Sequence, residues 1–451
     1  MNRNSKIAAA VAAVLALGAA GSASAVPLQG AAASTTNVLY VSGSSAAKSG
    51  VLGAIEADFC GGISNSLVFS STGDTNFFAV SCTPASSTGV TNANGTNVFT
   101  IYYRDEGGSV TGALPLVSGS AIAQLDLTQT ATCSGNTCTI AVGGNTASNG
   151  TTDTFTGTTN HQSGLGITDV EPAALIGDNY PSAYSVSKYG SASASQLAGL
   201  TATGVFQQVF GIFINKTGLN LNSQGSICLT SAQVSNLLSG NITDWSKVED
   251  CVSHSAVASS PTNVVIVNRE KGSGTRTAAS IYWLQDECVA SASGVVEDQS
   301  VDYFSTGLVL TAAGTTNGAI TYASIDNAPA SGLVLASIDT VTPTNLAAAQ
   351  GEYGWWEEAT AVSPNYTIPA VESSIANFLI SDLQNGNTAP HTAQVNLIPD
   401  SGSNTTPSLP VSGTANQCSN GPSCTVKTST AIYTNPFTKA ITSCAIPVSF
   451  L

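Results

Sequence analysis

The segment Val264-Val265-Ile266-Val267-Asn268-Arg269-Glu270-Lys271-Gly272-Ser273-Gly274-Thr275-Arg276 constrains this chain more than any other. Its β-branched apolar run predicts a buried strand. The strand leads into Arg269 and then Gly272-Ser273-Gly274-Thr275, and a helix-like stretch follows from Thr277 to Glu287. Glycines at such a junction let successive backbone N–H groups curl around an anion. A helix N-terminus adds unpaired donors and a partial positive charge. Ser273 and Thr275 contribute hydroxyls, and Arg269 contributes a planar donor fork that keeps its charge. A Gly-Ser turn alone is only a connection. The arginine before this one and the helix after it predict a site for a tetrahedral oxyanion.

Where the chain works is read from its start and its cysteines. Residues 1–25 have the form of a secretory signal: Arg3 and Lys6, an apolar stretch Ile7–Ala20, then Ala23-Ser24-Ala25 as a small-residue cleavage site. Cleavage near Ala25/Val26 would release the mature chain into the periplasm or outside the cell. The apolar stretch is too short for a membrane span and no later one reaches that length, so no membrane insertion is expected. Ten cysteines fit an oxidising compartment: Cys60, Cys82, Cys133, Cys138, Cys228, Cys251, Cys288, Cys418, Cys424 and Cys444. Short-range pairing suggests Cys60–Cys82, Cys133–Cys138, Cys228–Cys251 and Cys418–Cys424, leaving Cys288–Cys444, although sequence leaves the connectivity open. No CxxC pair occurs and His161, His254 and His391 are scattered, so neither a metal nor a cofactor is expected. The formal charge of −15 becomes more negative once the signal is lost, which argues against nucleic acid as a partner.

Strand, small-residue loop and helix recur along the chain. Asn37–Val41 predicts a strand, Gly43-Ser44-Ser45 a loop, and Val51–Phe59 a helix with Val51, Leu52, Ile55 and Phe59 at helical spacing. Val98–Tyr103 predicts another strand, followed by Arg104-Asp105-Glu106-Gly107-Gly108-Ser109. Ala121–Gln162 reads as a surface β-hairpin insertion closed by Cys133 and Cys138. At Gly164–Pro172 a strand gives way to a helix, with Thr168 or Asp169 as N-cap. Val205–Asn215 reads as a central strand, and Thr230-Ser231-Ala232-Gln233 as a capping box. Gly318–Tyr322 and Leu333–Ile338 predict further strands, and Asn385–Leu451 an irregular or β extension. Alternating strands and helices give an α/β class with parallel or mixed sheets.

In order along the chain, five of these features resemble the phosphate-binding proteins of ABC phosphate importers. They are Gly43-Ser44-Ser45, Gly108-Ser109, Gly166-Ile167-Thr168-Asp169, the Leu229-Thr230…Leu238-Ser239-Gly240-Asn241-Ile242-Thr243-Asp244-Trp245 segment, and Arg269…Gly272-Ser273-Gly274-Thr275. The last two are specific in combination. The resemblance spans roughly Val38 to Ala361, with insertions around 60–98 and 121–162. It implies a two-lobed periplasmic-binding-protein type II fold, here with β-rich, disulfide-stapled insertions. The expected lobes are 26–204 with 355–451, and 205–354, the chain crossing near Gly204 and returning near Trp355. The implied anion contacts are Ser45, Ser109, Asp169, Arg269, Ser273, Gly274 and Thr275. Asp169 would accept the proton that monohydrogen phosphate still carries and repel sulfate, which has none.

This chain departs from the family at Ala46, where an aromatic is usual, and at Lys271, where an acid is common. Glu270 pairing with Arg269 would compensate. Bland readings stand beside each assignment: Asp169 as a helix cap, Arg269 in a surface ion pair, Ser109 as a turn residue, Tyr353-Gly354-Trp355-Trp356 as core, Arg104 and Lys271 as solvated surface. The resemblance implies an exported, non-enzymatic binder of inorganic phosphate or a similar oxyanion, with an ABC permease as partner. The alternatives are a secreted phosphatase-like protein, or a cell-surface or matrix protein on the same fold.

Overall fold

The computed structural model describes residues 28–90, 97–144, 155–286, 302–327, 330–384 and 437–445, with Cys288, Gly294, Val295 and strand pieces at 398–399, 411–415, 429–432, 434–435 and 448–449. Residues 1–27, with the expected signal, Glu287, the expected Cys418–Cys424 pair and most of the C-terminal extension lie outside the described residues. The apolar, β-branched runs become β1 Val38–Gly43, β2 Ser66–Gly73, β3 Phe77–Cys82, β4 Phe99–Arg104, β5 Ile122–Leu125, β6 Ala131–Ser134, β7 Thr137–Val142, β8 Thr158–His161 and β9 Leu165–Thr168. They continue as β10 Thr201–Asn215, β11 Cys228–Leu229, β12 Val265–Ile266, β13 Ala319–Ser324, β14 Leu333–Leu335, β15 Ser337–Ile338 and β16 Trp356–Ser363.

A mixed sheet runs β12-β13-β10-β16-β9-β1-β4-β3-β2-β7-β6, with β14 also paired to β10. β1 lies parallel to both β4 and β9, so the C-terminal ends of all three open on one edge. β10 joins the two halves. Its residues 201–209 pair with β16, and residues 210–214 pair with β13. From Val205 to Asn215 it is buried throughout, so its sequence is mostly apolar on both faces, interrupted by buried Gln207 and Gln208. The architecture is a two-lobed α/β binding-protein fold with β-rich insertions.

The insertions do more than decorate the surface. β2 and β3 extend the sheet past β4. β7 then pairs in parallel with β2 and buries Ile140 and Val142, so the 121–162 insertion is an extra sheet edge rather than a free hairpin. Its outer strand β6 is largely exposed, with Cys133 facing Cys138 across the ladder. The described residues contain four disulfides, Cys60–Cys82, Cys133–Cys138, Cys228–Cys251 and Cys288–Cys444. The last ties residues 437–445 to the chain beyond the Gly274–Leu284 helix.

Local signals place most helices. The Thr230–Gln233 capping box forms in both directions, Gln233 N–H donating to Thr230 Oγ1 at 3.2 Å and Thr230 N–H to Gln233 Oε1 at 2.7 Å. The Val51–Phe59 pattern is not one regular helix. An α-helix over Lys48–Ala54 widens into a π turn at Ile55–Phe59, which still turns Ile55 and Phe59 into the core. Trp355 is fully buried against Phe210, Tyr282 and Trp283, with ring centroids 5.6, 6.1 and 5.4 Å away, so the Tyr-Gly-Trp-Trp segment is core. Among the described residues, no helix is long and apolar enough to cross a membrane.

Many buried carboxyls make stability depend on pH. Desolvation pushes Glu56 and Asp382 up to about 8, Asp382 also by its neighbour Asp58. Burial likewise pushes Asp74, Glu357 and Glu372 up to about 7. The folded chain therefore holds protons that the unfolded chain has released. That stability is complete below the unfolded carboxyl values and is lost as pH rises through 7 and 8. His161, lowered by burial, works the other way as a single group. Differential scanning calorimetry should find a melting temperature several degrees higher near pH 5 than near pH 8.5. A flat or rising profile would contradict this.

Candidate functional site

Three parallel strand ends deliver the first half of the site, the edge where open α/β sheets bind ligands. β1 runs into Gly43-Ser44-Ser45, β4 into Gly107-Gly108-Ser109, and β9 into Asp169. Gly43 sits at φ +142°, and a Cβ there would fall 1.9 Å from Ile167 O, so glycine is needed for the loop to leave the sheet here. Ser44 N–H then donates to Ile167 O at 2.8 Å, and its hydroxyl donates to Asp169 Oδ1. Asp169 N–H donates to Ser109 Oγ at 3.0 Å.

Asp169 caps no helix. Only a short 3₁₀ turn, Pro172–Ala174, follows it, and the side chain of Thr168 bonds Thr360 instead. The Asp169 carboxylate also accepts from Thr275 Oγ1 at 3.0 Å, so hydroxyls from both halves of the protein bracket it. Burial raises its pKa, while the Ser44 hydrogen bond, the Arg269 charge and the Thr275 hydroxyl pull it back down.

The second half is built around Arg269. The residue is 1% exposed, so the surface ion-pair reading fails. Its Nε donates to Tyr303 O, its Nη2 to Phe304 O and its Nη1 to Thr306 Oγ1, each at 3.1 Å. Among the described residues, no carboxylate stands within ion-pair distance of it. Glu270 does not compensate, because it accepts from Ser185 Oγ at 2.8 Å and burial drives its pKa far up. Burial pulls the Arg269 pKa down, and the charges of Asp169 and Glu270 oppose that.

The loops of the two halves interlock. Thr306 Oγ1 lies 3.0 Å from Ser45 Oγ, and Thr306 N–H donates to that same oxygen at 3.1 Å. A Cβ on Gly108 would meet Arg269 Nη2 at 2.6 Å, and one on Gly274 would meet Ser109 Oγ at 2.3 Å. Ser273 caps the Gly274–Leu284 helix, its Oγ accepting from Arg276 N–H at 3.4 Å. That helix starts three residues earlier than its apolar pattern predicts, and Gln285 in the left-handed region ends it.

All seven predicted residues thus fall in one buried cluster. Asp169, Ser109, Gly274 and Thr275 meet on one side, Ser45 and Arg269 meet through Thr306 on the other, and Ser273 heads the helix between them. Two members were missed. Ser44, not Ser45, touches Asp169, although both lie in the predicted loop. Thr306 carried no local signal, since Ser305 before it is the residue that caps the following helix. Arg104 is also not solvated surface. It is 1% exposed, pairs with Glu106, and stacks among Phe77, Phe155 and Tyr189 beside a cavity of about 310 Å³.

Two halves that share β10 thus bring a buried polar cluster to the parallel ends of β1, β4 and β9. Residues 187–377 match the family model described as the PBP superfamily domain. No curated protein matches the chain. Among solved structures, it resembles a protein from Clostridium perfringens assigned as a phosphate ABC transporter substrate-binding protein and solved with bound phosphate. The identity is 14% over 76% of this chain and 92% of that one, with TM-score 0.42. It also resembles PstS from Borrelia burgdorferi (14% identity, 76% and 92% covered, TM-score 0.33). A phosphate binding protein from Stenotrophomonas maltophilia is a third (12% identity, 76% and 82% covered, TM-score 0.37).

Proposed function

We propose that this chain is an exported protein that captures phosphate, or a closely similar oxyanion, between two lobes without chemically transforming it. The observation that carries this reading is Arg269: a buried guanidinium held only by neutral oxygens among the described residues, one of which, Thr306 Oγ1, also meets Ser45 Oγ of the other half. A buried charge without a partner is costly, and an anion entering here would supply the missing charge. Ser45, Ser109, Ser273 and Thr275 would donate hydroxyls, Gly274 its backbone N–H, and Arg269 a charged fork. Asp169 would accept the ligand's own proton. The lobes would be 26–204 with 355–451, and 205–354, closing about β10 and β16. An ABC permease would take the delivered anion, and the periplasm or cell exterior would be the place of work.

Calorimetric titration with sodium phosphate and with sodium sulfate tests this, and a p-nitrophenyl phosphate assay beside it separates capture from hydrolysis. The expected result is phosphate binding with little competition from sulfate near neutral pH. Asp169→Asn should narrow that gap about tenfold or more, because the amide can donate to a fully ionised anion where the carboxylate repels it. Equal binding of both anions by the parent protein would remove Asp169 from this role.

A further inference from the structure

Arg269 has five N–H donors, and three of them go to one short segment, Tyr303–Thr306. Two of those acceptors are backbone carbonyls, which hold the guanidinium plane in place. The third is a side chain, Thr306 Oγ1, and its position is unlike theirs. It stands 3.1 Å from Arg269 Nη1 and 3.0 Å from Ser45 Oγ, so a charged donor from one half and a hydroxyl from the other meet at a single oxygen. That is the place an oxyanion oxygen would take between a charged fork and a serine hydroxyl. Ser45 is engaged a second time by Thr306 N–H, at 3.1 Å.

The helix does not require this hydroxyl. Its cap is Ser305, whose Oγ accepts from Leu308 N–H, and Thr306 is the first residue inside. Thr306 is 1% exposed, so its hydroxyl answers to Arg269 and Ser45 rather than to water.

We propose that Thr306 is an internal competitor for the anion site, an inference that rests on the capture reading above. Its hydroxyl occupies the position of a ligand oxygen and links the two halves through Arg269 and Ser45. A phosphate oxygen replaces it because an ionised acceptor bonds the guanidinium more strongly than a neutral hydroxyl does. The affinity seen from outside is therefore reduced by the energy of lifting Thr306 away, just as a binding-competent state that is only partly populated lowers apparent affinity.

Thr306→Val keeps the shape and removes the acceptor. Without phosphate Arg269 Nη1 and Ser45 Oγ then lose that partner, and phosphate restores one. Calorimetry with sodium phosphate should show roughly tenfold tighter binding than the parent, the scale of one hydrogen bond to a charged group. Thr306→Ala should behave alike, and Thr306→Ser should match the parent. The phosphate-to-sulfate ratio should stay constant in all three, since Asp169 sets it. Added phosphate should also raise the melting temperature of Thr306→Val more than that of the parent.

Weaker or unchanged binding in both Thr306→Val and Thr306→Ala, with the parent binding phosphate, overturns the competitor role and leaves the anion site standing. No phosphate binding by the parent or by any variant overturns the capture reading and this inference together. Binding by Thr306→Val alone supports both.

Discussion

Arg269→Ala is expected to weaken phosphate binding by roughly ten- to a hundred-fold or more, since hydrogen bonds from a charged donor contribute about 1.5–3 kcal/mol and each factor of ten is about 1.4 kcal/mol. Arg269→Lys should fall between the two, restoring the charge but not the planar fork. Placement at a strand end predicts that folding survives the alanine change unharmed, and the structure revises this. Arg269 holds Tyr303 O, Phe304 O and Thr306 Oγ1, so alanine strands three buried acceptors. A stability loss on the order of 1–3 kcal/mol should accompany the binding loss. Lysine separates the two effects, because it keeps a buried donor for part of that segment. Circular dichroism melts and phosphate titrations on all three proteins give the comparison. If Arg269→Ala folds and binds phosphate as tightly as the parent, the anion site lies elsewhere.

The legible part of the site is what neighbouring residues decide. The Val264–Val267 run, the glycines after it and the hydroxyls of Ser273 and Thr275 are contiguous, and their junction forms as their order predicts. The Thr230–Gln233 box is likewise complete within four residues. What could not be read is decided by pairing across long distances. Arg269 meets Thr306 because its backbone bridges to Tyr303 in parallel, across 34 residues. The insertion at 121–162 joins the sheet because β7 finds β2, which no periodicity within either strand encodes.

Asp169 shows the same limit. An acid before a proline at a strand end matches a helix cap, and the local pattern is satisfied by either outcome. The choice falls to Ser44 and Thr275, which come from 125 residues before it and 106 residues after. Arg104 misled for a related reason. A charged residue beside glycines predicts surface, yet Glu106 and three aromatic rings supply enough contact to hold the guanidinium inside.

Gly274→Ala should weaken phosphate binding about tenfold or more while leaving each lobe folded, and Gly274→Val should nearly abolish it. Gly274 is the first residue of its helix and carries no positive φ, so alanine brings no local backbone penalty there. The added Cβ instead meets the opposite half: Ser109 Oγ at 2.3 Å, Asp169 Cβ at 2.8 Å and Ser109 Cβ at 3.0 Å. Oγ could rotate aside, but the two Cβ atoms are fixed to the ends of β9 and of the loop after β4. The halves must then stand apart by some tenths of an ångström, and Thr275 loses its reach to Asp169. On the capture reading the clash belongs to the closed arrangement, and an open form would escape it. Two measurements follow from this: a phosphate titration, and small-angle scattering with phosphate present, where the variant should keep a larger radius of gyration than the parent. If Gly274→Ala binds as tightly as the parent and compacts as the parent does, closure does not bring these two halves into contact, and capture between them would have to be abandoned.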